Sequence, residues 1–86
     1  PERANKMALY SEDFPIGTLV RITERPALEQ FMKSWKYHHP LEPFQLEFAG
    51  IEAEVADVGF YHGGDVLYVL KDVPGIWHEQ CLERID

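Results

Sequence analysis

The sequence predicts a mainly β domain, a small barrel of about five strands with a short helix inserted after the first strand. Three observations lead to this prediction. Residues 50–82 form short apolar runs separated by two glycine-marked turns, one around Gly63 and one around Gly75. Residues 18–23 alternate as a half-buried strand does, and residues 27–35 carry an apolar stripe of helical period. A closed sheet is favoured because many short strands otherwise leave unpaired edges.

The length of the chain allows one domain. A chain of 86 residues with 45% hydrophobic content buries about 60–65% of its unfolded surface and cannot divide that core between two units. Residues 1–13 combine mixed charge with little apolar periodicity, so we expect a flexible N-terminal arm there. Residues 14–86 are expected to form the barrel, with residues 27–48 as the insert.

The stripe in the insert predicts an amphipathic helix over residues 27–35. Its members are Leu28, Phe31, Met32 and Trp35, spaced i, i+3, i+4 and i+7. Pro40 and Pro43 each fix φ and restrict the preceding residue, which predicts an ordered loop without regular structure through residue 44. Residues 45–48 alternate again in the manner of a strand.

The second half of the chain predicts a meander of strands. Glycines at Gly63 and Gly64 indicate a hairpin, and Pro74 with Gly75 is typical of a type I or II turn over residues 72–75. Trp77 is expected in the core. The expected strands are residues 51–55, 66–70, 76–78 and 83–85, with a single helical turn over residues 79–82.

The acidic composition limits the possible partners. Fifteen Asp and Glu against eight Lys and Arg give a formal net charge of −7, which opposes the phosphate backbone and disfavours nucleic acid as a partner. The same charge steers association towards a basic protein partner, or allows mimicry of nucleic acid at a basic groove. Solubility alone is the simplest explanation of a negative charge that is evenly spread over the chain.

A cytoplasmic location is expected from composition. Cys81 is the single cysteine, so no internal disulfide can form, and a lone thiol fits a reducing compartment. No run approaches the roughly 18 apolar residues of a membrane span, and the first residues lack the order of a signal peptide. No membrane association is therefore expected.

Two kinds of chemistry are conceivable for the histidines and the cysteine. The candidate metal ligands are His38, His39, His78 and Cys81. Of these, His78 and Cys81 have a spacing at which both can bind one ion. Cys81 could also act as a nucleophile with His78 or His39 as its base. Adjacent histidines point in different directions and an acidic chain disfavours a thiolate, so loop histidines and a buried thiol are the simpler interpretation.

Loop aromatics and histidines are the better functional lead. Aromatic side chains with a polar group dominate protein interfaces, and conspicuous loop residues are often functional. Trp35, Phe44 and Phe60 lie close in sequence to the loop aromatics and histidines. For Trp35 and Phe44, a structural role as a cap on the open end of a small barrel is an equally good interpretation. No catalytic residue is predicted. The predicted partner-binding residues are Tyr37, His38, His39, Tyr61 and His62.

One strand, an insert, a three-strand meander, a helical turn and a last short strand is the order of an SH3-like barrel. Four segments of the sequence resemble the variable chain of ferredoxin-thioredoxin reductase. They are residues 18–23, Tyr37-His38-His39-Pro40, the run Leu46-x-x-Ala49-Gly50-Ile51-x-Ala53-Glu54-Val55 and the closing Leu82-Glu83. The resemblance covers residues 17–85. More broadly, the chain resembles SH3-like accessory subunits of multi-chain enzymes, including nitrile hydratase β-type domains.

The resemblance implies a chain that holds no cofactor and braces a larger subunit, such as an iron–sulfur enzyme chain. It also implies that Tyr37, His38 and His39 lie at the partner-facing loop. The sequence therefore predicts a non-catalytic accessory subunit or protein-binding module. Two alternatives stay open, a small metal- or thiol-dependent protein and an acidic inhibitor that mimics nucleic acid. The mimic requires clustering of Glu42, Glu47, Glu52, Glu54 and Asp57 on one face.

Overall fold

Five strands, one α-helix and two 3₁₀ helices form the described part of the chain. The computed structural model describes residues 13–36, 39–60 and 66–85. Its elements in chain order are β1 (Leu19–Ile22), α1 (Arg25–Ser34), a first 3₁₀ helix (Pro43–Phe48), β2 (Glu52–Phe60), β3 (Val66–Leu70), β4 (Val73–His78), a second 3₁₀ helix (Glu79–Cys81) and β5 (Leu82–Arg84). These five strands are antiparallel and lie in one sheet. The predicted mainly β fold with a short helix after the first strand is confirmed.

The predicted strand over residues 45–48 is wrong, because these residues continue the first 3₁₀ helix from Pro43. Proline is tolerated in the first helical turn, where its missing N–H has no intrahelical acceptor. The Gln45 side chain also accepts a hydrogen bond from the backbone N–H of Glu42, 2.8 Å away. The alternation of Leu46 and Phe48 over so short a segment did not distinguish a strand from a helical turn.

The turn predicted over residues 72–75 is also misplaced. The chain turns at residues 71–72, where Asp72 has a φ of 62°, and Pro74 and Gly75 lie inside β4. The register between β3 and β4 shifts at this point, so the Pro-Gly pair forms an irregularity within the strand. Proline is tolerated there because β4 is an edge of the sheet and need not donate on both sides.

Strand β2 connects the two halves of the sheet, whose order is β4-β3-β2-β1-β5. Residues 52–54 pair with β1, and residues 55–60 pair with β3. The register shifts between Val55 and Asp57, which marks a bulge that bends the strand and increases its twist. One strand can therefore serve both halves while they enclose a common core.

The core contains residues from every strand and from helix α1. The half-buried alternation predicted for residues 18–23 appears in Val20 and Ile22, which are fully buried on one face of β1, and Trp77, predicted in the core, is also fully buried. In the predicted helical stripe, Leu28 and Phe31 are buried, and the other two members pack at the edge of the core. The largest fully buried side chains are Trp77, Tyr68, Ile22, Leu28, Gln45, Val20, Val55 and Cys81.

The Tyr68 hydroxyl fixes the start of the described chain against the sheet. It accepts hydrogen bonds from the backbone N–H groups of Asp13 and Phe14 at 3.1 and 3.4 Å, and lies 3.5 Å from Glu79 Oε1. Arg84 Nη2 donates to the carbonyl oxygen of Asp13 at 2.7 Å. Asp13, the last residue of the predicted arm, is thus bound to β3 and β5. Residues 1–12 lie outside the described part of the chain.

Among the described residues, none of the helices has the length and apolar character that crossing a membrane requires.

The burial of Trp77 leads to a stability prediction. Trp77→Ala should lower the free energy of unfolding by about 3–5 kcal/mol, because it opens a cavity at the centre of a small core. Trp77→Phe should cost clearly less, since it keeps a ring and removes an indole N–H that has no acceptor among the described residues. Urea unfolding followed by circular dichroism measures both. Equal losses for the two variants would contradict this account.

Gly75 provides a second stability prediction. Its φ is 99°, and a Cβ there would lie 2.9 Å from Gln45 Nε2 and 3.2 Å from Phe44 Cζ. Gly75→Ala should therefore lower the unfolding free energy by about 1–3 kcal/mol or more. Gly59→Ala is the matched control, because a Cβ there meets no atom within 4 Å, and its effect should stay within about 1 kcal/mol. A neutral Gly75→Ala variant in the same urea series would refute the close approach.

Candidate functional site

His78, the last residue of β4, is buried where the insert packs against the sheet. Its Nε2 lies 2.8 Å from the carbonyl oxygen of His39, and a carbonyl only accepts, so Nε2 donates. The rings of Phe31 and Trp35 lie on it, each with its centroid 4.9 Å from that of the imidazole. The His78 side chain therefore joins β4 to helix α1 and to the segment that follows this helix.

Cys81, at the end of the second 3₁₀ helix, is buried in the core. Burial raises the pKa of its thiol to about 12, and a hydrogen bond with the backbone of His78 lowers it only in part. The thiol is consequently protonated near neutral pH, whereas a cysteine nucleophile reacts as the thiolate. The environment of Cys81 is that of a small core side chain.

Three of the four proposed metal ligands, His39, His78 and Cys81, lie in the described part of the chain. Within residues 13–36, 39–60 and 66–85, no three His, Cys, Asp or Glu side chains come together as a metal-binding group. His38 lies outside the described residues. His39 meets His78 through its backbone carbonyl, a contact in which the imidazole Nε2 of His78 is already used. The metal hypothesis thus gains no geometric support from the residues that are described.

Of the predicted partner-binding residues, only His39 lies in the described part of the chain. Tyr37, His38, Tyr61 and His62 lie outside it. His39 has a φ of 46°, a left-handed conformation that is uncommon for residues other than glycine. It is half-buried and lines two adjoining depressions on the surface. The role of Tyr37, His38 and His39 as a partner-binding loop stays a prediction.

The two depressions form a continuous groove across the outer face of β2, β3 and β4. The first has a volume of about 400 Å³ and lies between β4 and the first 3₁₀ helix, and the second, of about 230 Å³, lies over β2 and β3. His39 and Ile76 line both. The groove is defined by Pro40, Glu42, Phe44, Gln45 and Gly75 at one end, by Asp57, Val58, Gly59, Phe60, Leu67, Tyr68 and Val69 at the other, and by His39 and Ile76 between them.

Three apolar side chains of the groove are exposed. Phe44 is 43% exposed, Val69 is 40% exposed and Ile76 is 37% exposed. They come from three different elements that the sheet and the first 3₁₀ helix bring together. Phe60 also lines the groove, but it pairs with the core residue Val66, so its side chain lies on the opposite face of the sheet from Val69. Phe44, for which the sequence also allowed a role as a cap on the barrel end, lies over Gly75 at the surface. Contiguous exposed apolar residues of this kind mark binding surfaces.

Comparisons with protein-family models, with curated proteins and with solved structures found no significant match. What the groove can bind must therefore be judged from its own side chains.

Gln45 and Gly75 shape the first depression. The buried Gln45 side chain donates from Nε2 to the carbonyl oxygen of Ile76 at 3.0 Å, which ties the first 3₁₀ helix to the edge strand β4. Because Gly75 has no side chain, Gln45 and the ring of Phe44 can approach its backbone closely. The apolar wall at Phe44 therefore depends on this glycine.

The sequence pattern did not predict that Val69 and Ile76 lie at the surface. A signal was present in β3, where Val69 lies between Tyr68 and Leu70 and so points away from the side of these buried neighbours. An apolar residue at an outward position of a strand is a hint of an interface. The uniformly apolar composition of residues 66–70 hid this alternation.

The carboxylates proposed for nucleic-acid mimicry are all exposed, but they lie in separate places. Glu42 caps the first 3₁₀ helix and Glu47 lies within it, and this helix packs against β4. Glu52 and Glu54 lie on the part of β2 that pairs with β1, and Arg21 forms an ion pair with Glu52 at 3.2 Å. Asp57 lies beyond the bulge. This arrangement does not favour a continuous track of negative charge.

The buried thiol leads to a pH prediction. The thiol pKa is 9.0 in the unfolded chain and about 12 in the folded protein. Between these two pH values the unfolded state loses a proton that the folded state retains, so the free energy of unfolding falls as pH rises. The expected loss is about 2 kcal/mol between roughly pH 8 and pH 10.5. Urea unfolding at both pH values measures it.

Cys81→Ala is the control for this loss. The variant should show a shallower pH dependence, whereas the contribution of Tyr68, whose pKa burial raises to about 12, is common to both proteins. Identical pH dependences for the two proteins would show that the thiol is not held in its neutral form.

Proposed function

We propose that this protein is a non-catalytic accessory subunit or protein-binding module of a larger enzyme complex, and that the groove is its contact surface. The observation that carries the proposal is the exposed apolar strip formed by Phe44, Val69 and Ile76. Removing such side chains from water on association is the main source of favourable free energy at interfaces. Phe44 is aromatic, and aromatic side chains are suited to fill a partner's pocket.

The support beneath the strip is rigid. Tyr68 and Leu70 flank Val69 and are buried, and Trp77 follows Ile76 and is fully buried. The strip therefore lies directly on the core and does not depend on a loop for its position. A preorganised surface loses little conformational entropy on binding, which favours its use as a docking site.

The packing of the chemically reactive residues also favours a non-catalytic role. Cys81 is a protonated core thiol, and His78 is enclosed by Phe31 and Trp35. Neither lines the groove. His78 thus serves to connect the insert to the sheet, and Cys81 serves as a core side chain.

The order of the described elements supports an SH3-like barrel as the architecture of this module. A strand, a long insert with one helix, a meander, a 3₁₀ helix and a short last strand follow one another as in such barrels. Under this proposal, the partner is a larger enzyme chain of the kind braced by the ferredoxin-thioredoxin reductase variable chain. A cytoplasmic location is part of the proposal and rests on the single unpaired cysteine.

The binding proposal is tested by affinity capture from an extract of the source cells, quantified by mass spectrometry. Val69→Thr/Ile76→Thr removes apolar surface while it keeps β-branched residues in the strands. Recovery of a stoichiometric partner chain should fall about tenfold or more, because central apolar contacts typically contribute more than about 1 kcal/mol each.

The matched control is Leu19→Thr/Ile51→Thr, which changes two residues that are 57% and 42% exposed and do not line the groove. It should leave recovery unchanged. Tyr37→Ala/His38→Ala tests the predicted binding loop in the same assay and should also reduce recovery. If the partner binds both Thr double variants equally, with the fold intact by circular dichroism, the groove is not the contact surface.

A further inference from the structure

We infer that the groove receives a basic apolar segment of the partner, in which Lys or Arg side chains flank the apolar residues that cover the strip. The inference rests on the proposed function and specifies the chemistry of the partner at the same site. It follows from the charges around the groove, which are all of one sign among the described residues.

Each depression has one carboxylate in its wall. Glu42 lines the first and Asp57 lines the second, and no Lys or Arg of the described residues lines either. Within the same residues, neither carboxylate forms an ion pair with a cation of its own chain. Two carboxylates that have no ion-pair partner among the described residues therefore accompany the apolar strip formed by Phe44, Val69 and Ile76.

The arginines of the described chain are used elsewhere. Arg21 pairs with Glu52 and Glu83, and Arg25 pairs with Glu29. Arg84 donates to the carbonyl oxygen of Asp13. None of these arginines lines the groove, and Lys33, Lys36 and Lys71 do not line it either, so among the described residues the charged groups in its walls are Glu42 and Asp57.

Charge complementarity selects the occupant. A second copy of this chain would bring its own carboxylates towards Glu42 and Asp57, and like charges brought together at an interface oppose binding. A nucleic acid would meet a protein of formal net charge −7. A segment with Lys or Arg beside apolar residues satisfies both features of the groove, and the net charge accelerates its approach.

The test selects binders from a random dodecapeptide phage library on the immobilised protein, with parallel selection on Val69→Thr/Ile76→Thr. The expected result is a set of peptides that bind only the unmodified groove and that carry Lys or Arg next to aliphatic or aromatic residues. Fluorescence polarisation then gives the dissociation constant of the strongest synthetic peptide at low and at high salt.

Charge variants locate the basic contacts. Glu42→Gln/Asp57→Asn should weaken the peptide about threefold to tenfold at low salt, and high salt should reduce this difference. Asn at position 57 keeps the acceptor for the Val58 N–H, which Asp57 Oδ1 binds at 2.9 Å. The control Glu29→Gln/Glu83→Gln removes the same charge away from the groove and should change binding by less than about twofold.

The possible failures separate the inference from the proposed function. Groove-dependent peptides without basic residues, or equal effects of the two charge variants, would overturn the inference and leave the groove as a binding surface. Concentration-dependent dimerisation that is lost in Val69→Thr/Ile76→Thr would identify a second copy as the occupant and overturn it too. Absence of any groove-dependent peptide also counts against the inference, while affinity capture reports independently on the proposed function.

Discussion

The bend in β2 is the constraint on which the rest of the structure depends. This strand pairs with β1 through residues 52–54 and with β3 through residues 55–60, and the bulge after Val55 allows it to change direction between them. Val55 is buried at the point of the bend. A flat sheet of five such short strands would expose one face of every strand, whereas the bent sheet encloses Tyr68 and Trp77 in a core shared by both halves.

Polar contacts attach the insert, residues 27–48, to strand β4. His78 binds the carbonyl of His39, and Gln45 binds both the Glu42 N–H and the carbonyl of Ile76. The Gln45 and His78 side chains are both buried, so loss of these bonds would leave a buried polar group unsatisfied. The imidazole of His78 is thereby committed to holding the insert on β4.

The groove is a consequence of the same architecture. The irregularity in β4 places Gly75 where Phe44 can lie against bare backbone, and the alternation in β3 turns Val69 outward next to Ile76. Glu42 and Asp57 reach the two ends of this surface from elements that are distant in sequence. An apolar strip beside two carboxylates that form no ion pair among the described residues is suited to a partner.

The sequence by itself determined the local structure wherever one period or one chemical property dominated. The stripe from Leu28 to Trp35 specified the helix, and the alternation of Val20 and Ile22 specified a strand. The sequence did not place Pro74 and Gly75 within an edge strand, because the same pair serves a turn or a bulge depending on its neighbours. Only the tertiary structure brought Phe44, Val69 and Ile76 to one surface and enclosed His78 in aromatic rings. These outcomes depend on contacts between elements far apart in the chain, and a local pattern carries no information about such contacts.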